Sequence, residues 1–230
     1  MLAPSVAWSG NYYTPHFESR MMTIATNTWT VGQGAILLLG DSNTEMVRPI
    51  EIDGCQIINA GFGGARISDI AKRADGLAKL TRPSIVHIMV GTNDASADLK
   101  DATSEDKEIE SAARDEWADM ATNLGKIIDT FTAAGTRVVI WGMPPTGPAF
   151  GKLDDFAYVS KIIENVAREK KVRLELEWDR EMIGADGYAK PGWLIGDDVH
   201  LTPNGQQVRV SRIAEIDKEI FSKTGQACLK

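Results

Sequence analysis

Four short polar segments of this 230-residue chain contain side chains of types that can do acyl chemistry. A serine hydroxyl can act as a nucleophile, a histidine can take its proton, and a neighbouring carboxylate can orient the histidine. Glycine N–H groups and an asparagine amide can bind a developing oxyanion. Each segment alone is more typical of a turn or a helix cap, but together they supply every part of such a site. They read GDSNT (residues 40–44), NAGFGG (59–64), GTND (91–94) and DDVH (197–200).

The last segment offers two carboxylates beside its histidine. Asp197 is the predicted orienting acid, because a spacing of three residues folds it back over His200 within one turn. Asp198 is the alternative, and its spacing of two points it away. Of the two other histidines, His87 lies inside an apolar run and is predicted to pack in the core, and His16 has no evident partner. His200 is therefore the predicted base.

These segments need a scaffold that brings them together, and the first three each follow a short apolar run. Five such runs alternate with stretches of helical periodicity, which predicts a parallel sheet with helices on both faces. The fold class is therefore predicted as α/β, a three-layer α/β/α sandwich with a five-stranded parallel sheet and its ligand site at the carboxyl ends of the strands. The predicted strands are residues 35–39, 55–59, 85–90, 137–141 and 172–176, and the predicted helices are residues 68–80, 105–134, 154–170 and 203–221.

Length and composition predict one domain. A chain of this size with 43% hydrophobic residues can bury a single sizeable core. Residues 34–230 are predicted to form that domain, and residues 1–33, whose aromatic residues show no clear periodicity, are predicted as an N-terminal arm packed on it. No apolar run is long enough for a membrane span, and no signal peptide with a basic start is visible. The compartment stays open between the cytoplasm and, if a leader was removed, the periplasm or the exterior.

Charge and cysteine usage restrict the partners. A net charge of −7 argues against nucleic acid, since backbone phosphates would be repelled. Residues 98–119 hold nine acidic and three basic residues and are predicted to be an exposed, solvated helix entry; whether they govern oligomer formation stays open. Cys55 and Cys228 lack metal-ligand spacing. No metal and no organic cofactor is predicted, because side chains and water complete the proposed chemistry.

In order and spacing, the four segments resemble the four conserved blocks of the SGNH or GDSL-like hydrolases. The likeness runs from about residue 35 to residue 210 and implies the flavodoxin-like SGNH hydrolase fold. Gly61, Gly63 and Gly64 all occupy the second block, and Gly64 is taken as its oxyanion donor by its distance from Asn59.

The resemblance also implies a role for each matching residue. Ser42 matches the nucleophile, and Asp197 and His200 match the acid and base of its triad. The oxyanion hole would comprise the backbone N–H groups of Ser42 and Gly64 and the side-chain amide of Asn93.

The expected activity is that of a serine esterase on small carboxylic esters. The substrate would be a small-molecule or glycan ester, such as an acetylated carbohydrate, a lysophospholipid or an aryl ester. Two alternatives stay open: acyl transfer to a sugar hydroxyl, and a carbohydrate-binding module without activity. Phe62 and Trp193, near a strand exit and in a glycine-rich loop, are predicted as residues that line an acyl pocket or stack on a sugar ring.

Overall fold

The computed structural model describes most of the chain. Its backbone covers residues 13–49, 51–96 and 107–224, and its side chains cover residues 15–49, 51–96 and 115–223. Most of the acidic segment 98–119 and Cys228 therefore lie outside the described side chains, and so do the first residues of the predicted arm.

One mostly parallel sheet of six strands forms the middle layer, in the order β2-β3-β1-β4-β5-β6. The predicted parallel strands are confirmed, because every neighbouring pair except one is parallel. The strands are β1 (Ile36–Gly40), β2 (Glu51–Ile52), β3 (Cys55–Gly61), β4 (Ile85–Met89), β5 (Arg137–Trp141) and β6 (Arg173–Glu175).

The predicted count of five strands is wrong by one. β2 has two residues and pairs antiparallel with β3 at the edge of the sheet. Asp53 and Gly54 connect the two strands, and both have positive φ, at 50° and 78°. An Asp-Gly pair in this conformation forms a tight hairpin turn. The strand before it is too short to show an alternating pattern.

Eight α-helices surround the sheet in the described residues. They are α1 (Tyr13–Val31), α2 (Ser42–Glu45), α3 (Ile67–Ala71), α4 (Ala74–Thr81), α5 (Thr92–Ala95), α6 (Lys107–Ala133), α7 (Leu153–Glu169) and α8 (Pro203–Thr224). The long predicted helices at 105–134, 154–170 and 203–221 correspond to α6, α7 and α8. The predicted helix at 68–80 is divided into α3 and α4.

Two apolar cores lie on the two faces of the sheet, which confirms the three-layer sandwich. Leu37 and Leu39 of β1 face the larger core, which contains residues of α1, α3, α4, α6 and α7. Ile36 and Leu38 face the second core, which contains residues of α8. All four side chains are fully buried. A strand covered by helices on both faces reads as a continuous apolar run, as β1 does.

Helix α1 lies in the region that the sequence analysis left without a regular element. Phe17, Ile24 and Thr28 are buried on its inner side, and Met21 is partly buried against the same core. These positions recur at intervals of three or four residues, which is the spacing of one helix face. α1 packs on β3 and α4. The N-terminal region thus covers one end of the larger core as a helix.

His87 lies at the centre of a buried polar group in the second core. It is fully buried, as predicted. Its Nε2 lies 2.9 Å from Asp217 Oδ1, and its Nδ1 accepts a hydrogen bond of 3.0 Å from Trp141 Nε1. Since Nδ1 is an acceptor, the proton lies on Nε2, which donates to the carboxylate. These bonds connect β4, β5 and α8 and satisfy polar groups that would otherwise be costly to bury.

Candidate active site

Ser42 occupies the first position of α2, directly after β1. Asp41 caps the helix, because its Oδ1 accepts a hydrogen bond of 3.0 Å from Asn43 N–H. The turn is tight: a Cβ on Gly40 would lie 2.2 Å from the carbonyl oxygen of Met89. The glycine therefore lets the strand pass directly into the helix, which places the serine hydroxyl and its N–H at the carboxyl edge of the sheet.

Asn43, the residue after the serine, connects the two chemical segments that lie farthest apart in the sequence. Its Nδ2 donates to the carbonyl oxygen of Val199 at 3.0 Å, and its Oδ1 accepts from Leu201 N–H at 3.0 Å. Val199 and Leu201 are the two neighbours of His200. One buried amide thus bonds to both sides of the histidine and fixes its backbone relative to Ser42. Sequence reasoning missed this residue.

Asp197 contacts both the ring and the backbone of His200. Its Oδ2 lies 2.6 Å from His200 Nδ1, and its Oδ1 accepts from the N–H groups of Val199 and His200 at 3.2 and 3.0 Å. Partial burial acts to raise the pKa of the Asp197 carboxyl, but the hydrogen bonds from His200 and Val199 outweigh it and lower the pKa below its ordinary value. The carboxylate is therefore ionised beside the ring.

Asp198 bonds to a different loop. It adopts a φ of 61°, its carbonyl oxygen accepts from Gly147 N–H at 2.7 Å, and its Oδ2 accepts from Ala149 N–H at 3.1 Å. These contacts tie the DDVH segment to the loop after β5. The structure thus places Asp197, and not Asp198, against the imidazole.

Ser42 and His200 line one cavity of about 600 Å³. Among the described residues, no hydrogen bond joins the serine hydroxyl to the imidazole. Such bonds are often long before substrate binds and shorten in the reacting complex. The cavity is lined by His16, Ser42, Glu45, Met46, Arg48, Gly63, Gly64, Asn93, Ser96, Phe150, Val199 and His200.

The three predicted oxyanion donors belong to that cavity. Gly64 has a φ of 76°, a conformation that L side chains rarely adopt, and no carbonyl in the described part of the chain accepts from its N–H. Asn93 Nδ2 donates one hydrogen bond, of 3.0 Å, to the carbonyl oxygen of Ala65. An amide nitrogen has two hydrogens, so the second remains for a ligand. The bond to Ala65 also ties Asn93 to the glycine-containing loop.

Phe62 does not line the cavity, which corrects the prediction for this residue. Its side chain is fully buried and packs edge-on against Phe17 at a centroid distance of 5.7 Å. Ile58, Ala60 and Phe62 all belong to the larger core. The alternation of β3 continues through residue 62 and turns this ring towards the helices, away from the site.

Trp193 lines a separate groove of about 950 Å³, between the segment after β6 and α8. Its ring packs against the second core. The prediction that it lines the pocket of Ser42 is therefore also corrected. Phe150 lines the cavity and packs against Phe156 at a centroid distance of 6.3 Å.

Two more cavity residues, His16 and Glu45, were not assigned a role from the sequence. His16 projects from α1, and its Nε2 lies 3.0 Å from Glu45 Oε2. No local signal in the sequence indicates His16, because its contact with Glu45 depends on how α1 packs on β3. For Glu45 the signal is its position one turn after Ser42.

Buried charges lie beneath the site. Asp94, on the turn of helix that holds Asn93, accepts from Ile67 N–H, and burial raises its pKa to about 7. Asp41 is fully buried, and burial raises its pKa too. Arg209 of α8 is also fully buried and has its pKa lowered by burial to about 10, and its charge acts on Asp41. Three buried ionisable side chains thus lie beneath the segments that contain Ser42 and Asn93.

The described residues contain no group of three histidine, cysteine or acidic side chains able to hold a metal ion. None of the helices in the described ranges is both long and apolar enough to cross a membrane.

Solved structures share the fold of this chain at low sequence identity. A GDSL-like lipase from Bacteroides thetaiotaomicron VPI-5482 is 17% identical and has a TM-score of 0.68, with 89% of this chain and 99% of that chain covered. The acetyl xylan esterase AlAXEase is 18% identical, with a TM-score of 0.60 and coverages of 79% and 98%. The psychrotrophic esterase EstA from Pseudoalteromonas sp. is 18% identical, with a TM-score of 0.60 and coverages of 82% and 99%.

No curated protein sequence matches the chain significantly. The model of the GDSL-like Lipase/Acylhydrolase family matches residues 38–208, which include all four chemical segments. The chain is an enzyme of the GDSL-like lipase/acylhydrolase family.

Proposed function

We propose that this enzyme hydrolyses small carboxylic esters with Ser42 as nucleophile, His200 as base and Asp197 as the acid that orients it. The observation that carries the proposal is the 2.6 Å contact between His200 Nδ1 and Asp197 Oδ2 at the cavity that Ser42 lines. A carboxylate on Nδ1 keeps the proton there. Nε2 is then free to accept the serine proton.

In the proposed reaction, Ser42 Oγ attacks the ester carbonyl as its proton moves to His200 Nε2. The carbonyl oxygen becomes an oxyanion, which the N–H groups of Ser42 and Gly64 and the Asn93 amide bind. Collapse of this intermediate breaks the bond to the alcohol, which leaves with the proton from His200. Water then attacks the acyl-enzyme by the same route and releases the acid.

We propose a short acyl group, and acetyl esters of carbohydrates as one substrate class. The cavity has about 600 Å³ for both parts of the ester, and the apolar side chains that line it are Met46, Phe150 and Val199. The polar residue Arg48 lines it as well and suits a hydroxylated alcohol. The fold shared with an acetyl xylan esterase is consistent with this class.

The test is hydrolysis of p-nitrophenyl esters from acetate to decanoate by the wild-type enzyme and by Ser42→Ala. We expect the wild type to prefer acetate and butyrate and the variant to lose turnover. Ser96→Ala is the matched control, because Ser96 also lines the cavity but donates only to the carbonyl oxygen of Asn93. Equal activity of wild type and Ser42→Ala would refute the proposal.

The same assay with a sugar acceptor separates hydrolysis from transfer. If the transfer product exceeds the free acid in water, the enzyme is an acyltransferase and the hydrolase proposal is wrong. Glycan binding that survives Ser42→Ala, with no turnover of any ester, would indicate a binding module.

A further inference from the structure

Helix α1 reaches the cavity through His16 and contacts α2 there. His16 Nε2 lies 3.0 Å from Glu45 Oε2, with both side chains about a quarter exposed. The same carboxylate oxygen accepts a hydrogen bond of 2.5 Å from Gly63 N–H. Glu45 therefore connects the N-terminal helix to the loop that contains the oxyanion donor Gly64.

Arg20, one helical turn after His16, contacts the start of the same loop. Its Nε donates to the carbonyl oxygen of Gly61 at 2.8 Å, and its Nη2 donates to that of Asn59 at 3.1 Å. It also lies 3.7 Å from Glu45 Oε1. We call His16, Arg20 and Glu45 the α1–α2 cluster. Arg20 bonds to the loop before Phe62 and Glu45 bonds to it after Phe62, while His16 bonds to Glu45.

The loop needs such contacts because three of its four residues after Ala60 have no side chain. Gly61 lies so close to α2 that a Cβ would be 2.0 Å from the backbone nitrogen of Glu45. Gly63 and Gly64 follow, and Gly64 has positive φ. Glycine backbone is the most costly to order, and only its own peptide groups are available for bonding. Bonds to the carbonyl oxygen of Gly61 and to Gly63 N–H thus fix the two consecutive peptides that precede the one with Gly64 N–H.

We propose that the α1–α2 cluster positions Gly64 N–H for the oxyanion, so that the N-terminal helix is part of the catalytic unit. The inference rests on the proposed function, in which Gly64 is an oxyanion donor. His16, Arg20 and Glu45 are positioning residues, since they act through the loop and not on the reacting atoms. A donor that is displaced binds the transition state less well while it leaves ground-state binding almost unchanged.

The first experiment compares His16→Ala, Glu45→Ala and the double variant in ester hydrolysis. We expect kcat to fall about tenfold in His16→Ala and further in Glu45→Ala, with KM within about twofold of the wild type, because a small displacement of a donor is costly. The double variant should be no slower than Glu45→Ala, because both changes remove one connected contact. His16→Gln, which can still donate to Glu45, should restore most of kcat. Ser19→Ala, on an exposed position of the same helix, is the matched control.

The second experiment is amide hydrogen exchange of the peptide that contains residues 61–66, which needs no turnover. We expect faster exchange in His16→Ala and Glu45→Ala and no change in Ser19→Ala. Unchanged exchange would overturn the inference, and so would faster exchange with unchanged kcat. A rise in KM at constant kcat would indicate direct substrate contact instead and would also overturn it. If the wild type shows no Ser42-dependent turnover, the proposed function fails, while exchange alone decides whether the cluster holds the loop.

Discussion

Replacement of Asp197 by asparagine separates the proposed orienting role of the carboxylate from its role in the fold. Asparagine keeps an oxygen that can accept from the N–H groups of Val199 and His200, as Asp197 Oδ1 does at 3.2 and 3.0 Å. Its NH2 group would face His200 Nδ1, where Oδ2 now lies at 2.6 Å. Since the amide donates, Nδ1 must accept, and the proton moves to Nε2. His200 can then no longer take the proton of Ser42.

The size of the loss follows from the exposure of the pair. In a fully buried triad the wrong tautomer costs about 10⁴ in kcat. The Asp197 side chain is 42% exposed and the His200 side chain 25% exposed, so water can partly replace the carboxylate. We therefore expect kcat at pH 7.5 to fall by about a hundredfold to a thousandfold, or roughly 3–4 kcal/mol of transition-state stabilisation.

The assay is p-nitrophenyl acetate hydrolysis, with thermal unfolding of each variant measured in parallel. Asp198→Asn is the control, since Asp198 bonds to Ala149 N–H and asparagine tolerates its positive φ. Asp198→Asn should retain activity within about threefold, because it leaves the tautomer of His200 unchanged. Equal activity of Asp197→Asn and wild type would refute the assigned orientation. A large loss of activity in Asp198→Asn alone would indicate that Asp198, and not Asp197, orients His200.

Three further predictions concern the proposed donor Asn93, the buried acid Asp94 and the close contact of Gly61 with α2. Asn93→Ala should lower kcat by about 10²–10³ with little change in KM, as removal of one oxyanion donor does. An unchanged kcat in Asn93→Ala would contradict this. Asp94→Asn tests pH-dependent stability. Burial raises the pKa of Asp94 to about 7. The contribution of its protonated carboxyl to the free energy of unfolding is therefore complete below about pH 4 and is lost as the pH rises through 7. The variant should therefore gain up to about 4 kcal/mol over the wild type between pH 4 and 8 in urea unfolding, and a constant difference would exclude this coupling. Gly61→Ala should lower the unfolding free energy by about 3 kcal/mol or more, because its Cβ would meet the backbone of Glu45, and a melting temperature equal to that of the wild type would refute the close packing of β3 on α2.

The sheet and the edge where the site lies could be predicted because their signals are local in the sequence. β1 is a continuous apolar run and β4 is apolar except for His87, as a strand buried on both faces requires. Parallel strands end on the same edge, so residues directly after them, such as Ser42 and Asn93, had to lie near one another. Gly64 was chosen among the glycines of the second segment through the resemblance to the SGNH hydrolases, and it lines the cavity.

Residues whose place depends on the direction of a side chain or on a tertiary contact could not be assigned from the sequence. Phe62 follows a strand exit, as Gly64 does, but the two-residue period of β3 points its ring into the core. Trp193 is near His200 in sequence, yet its loop turns towards α8 and lines another groove. His16 could not be assigned, because its partner Glu45 lies 29 residues away and belongs to a one-turn helix.

The amide of Asn43 has a consequence for the order in which the folding chain acquires activity. It bonds to groups 156 and 158 residues later in the chain, beside the start of α8. Contacts of such long sequence separation are slow to form, since the intervening chain must first be ordered. A refolding chain can therefore complete the sheet, as seen by far-ultraviolet circular dichroism, before it can cleave an ester. Recovery of hydrolysis would then follow the docking of the DDVH segment, and a chain that ends before residue 197 would have Ser42 without the proposed base His200.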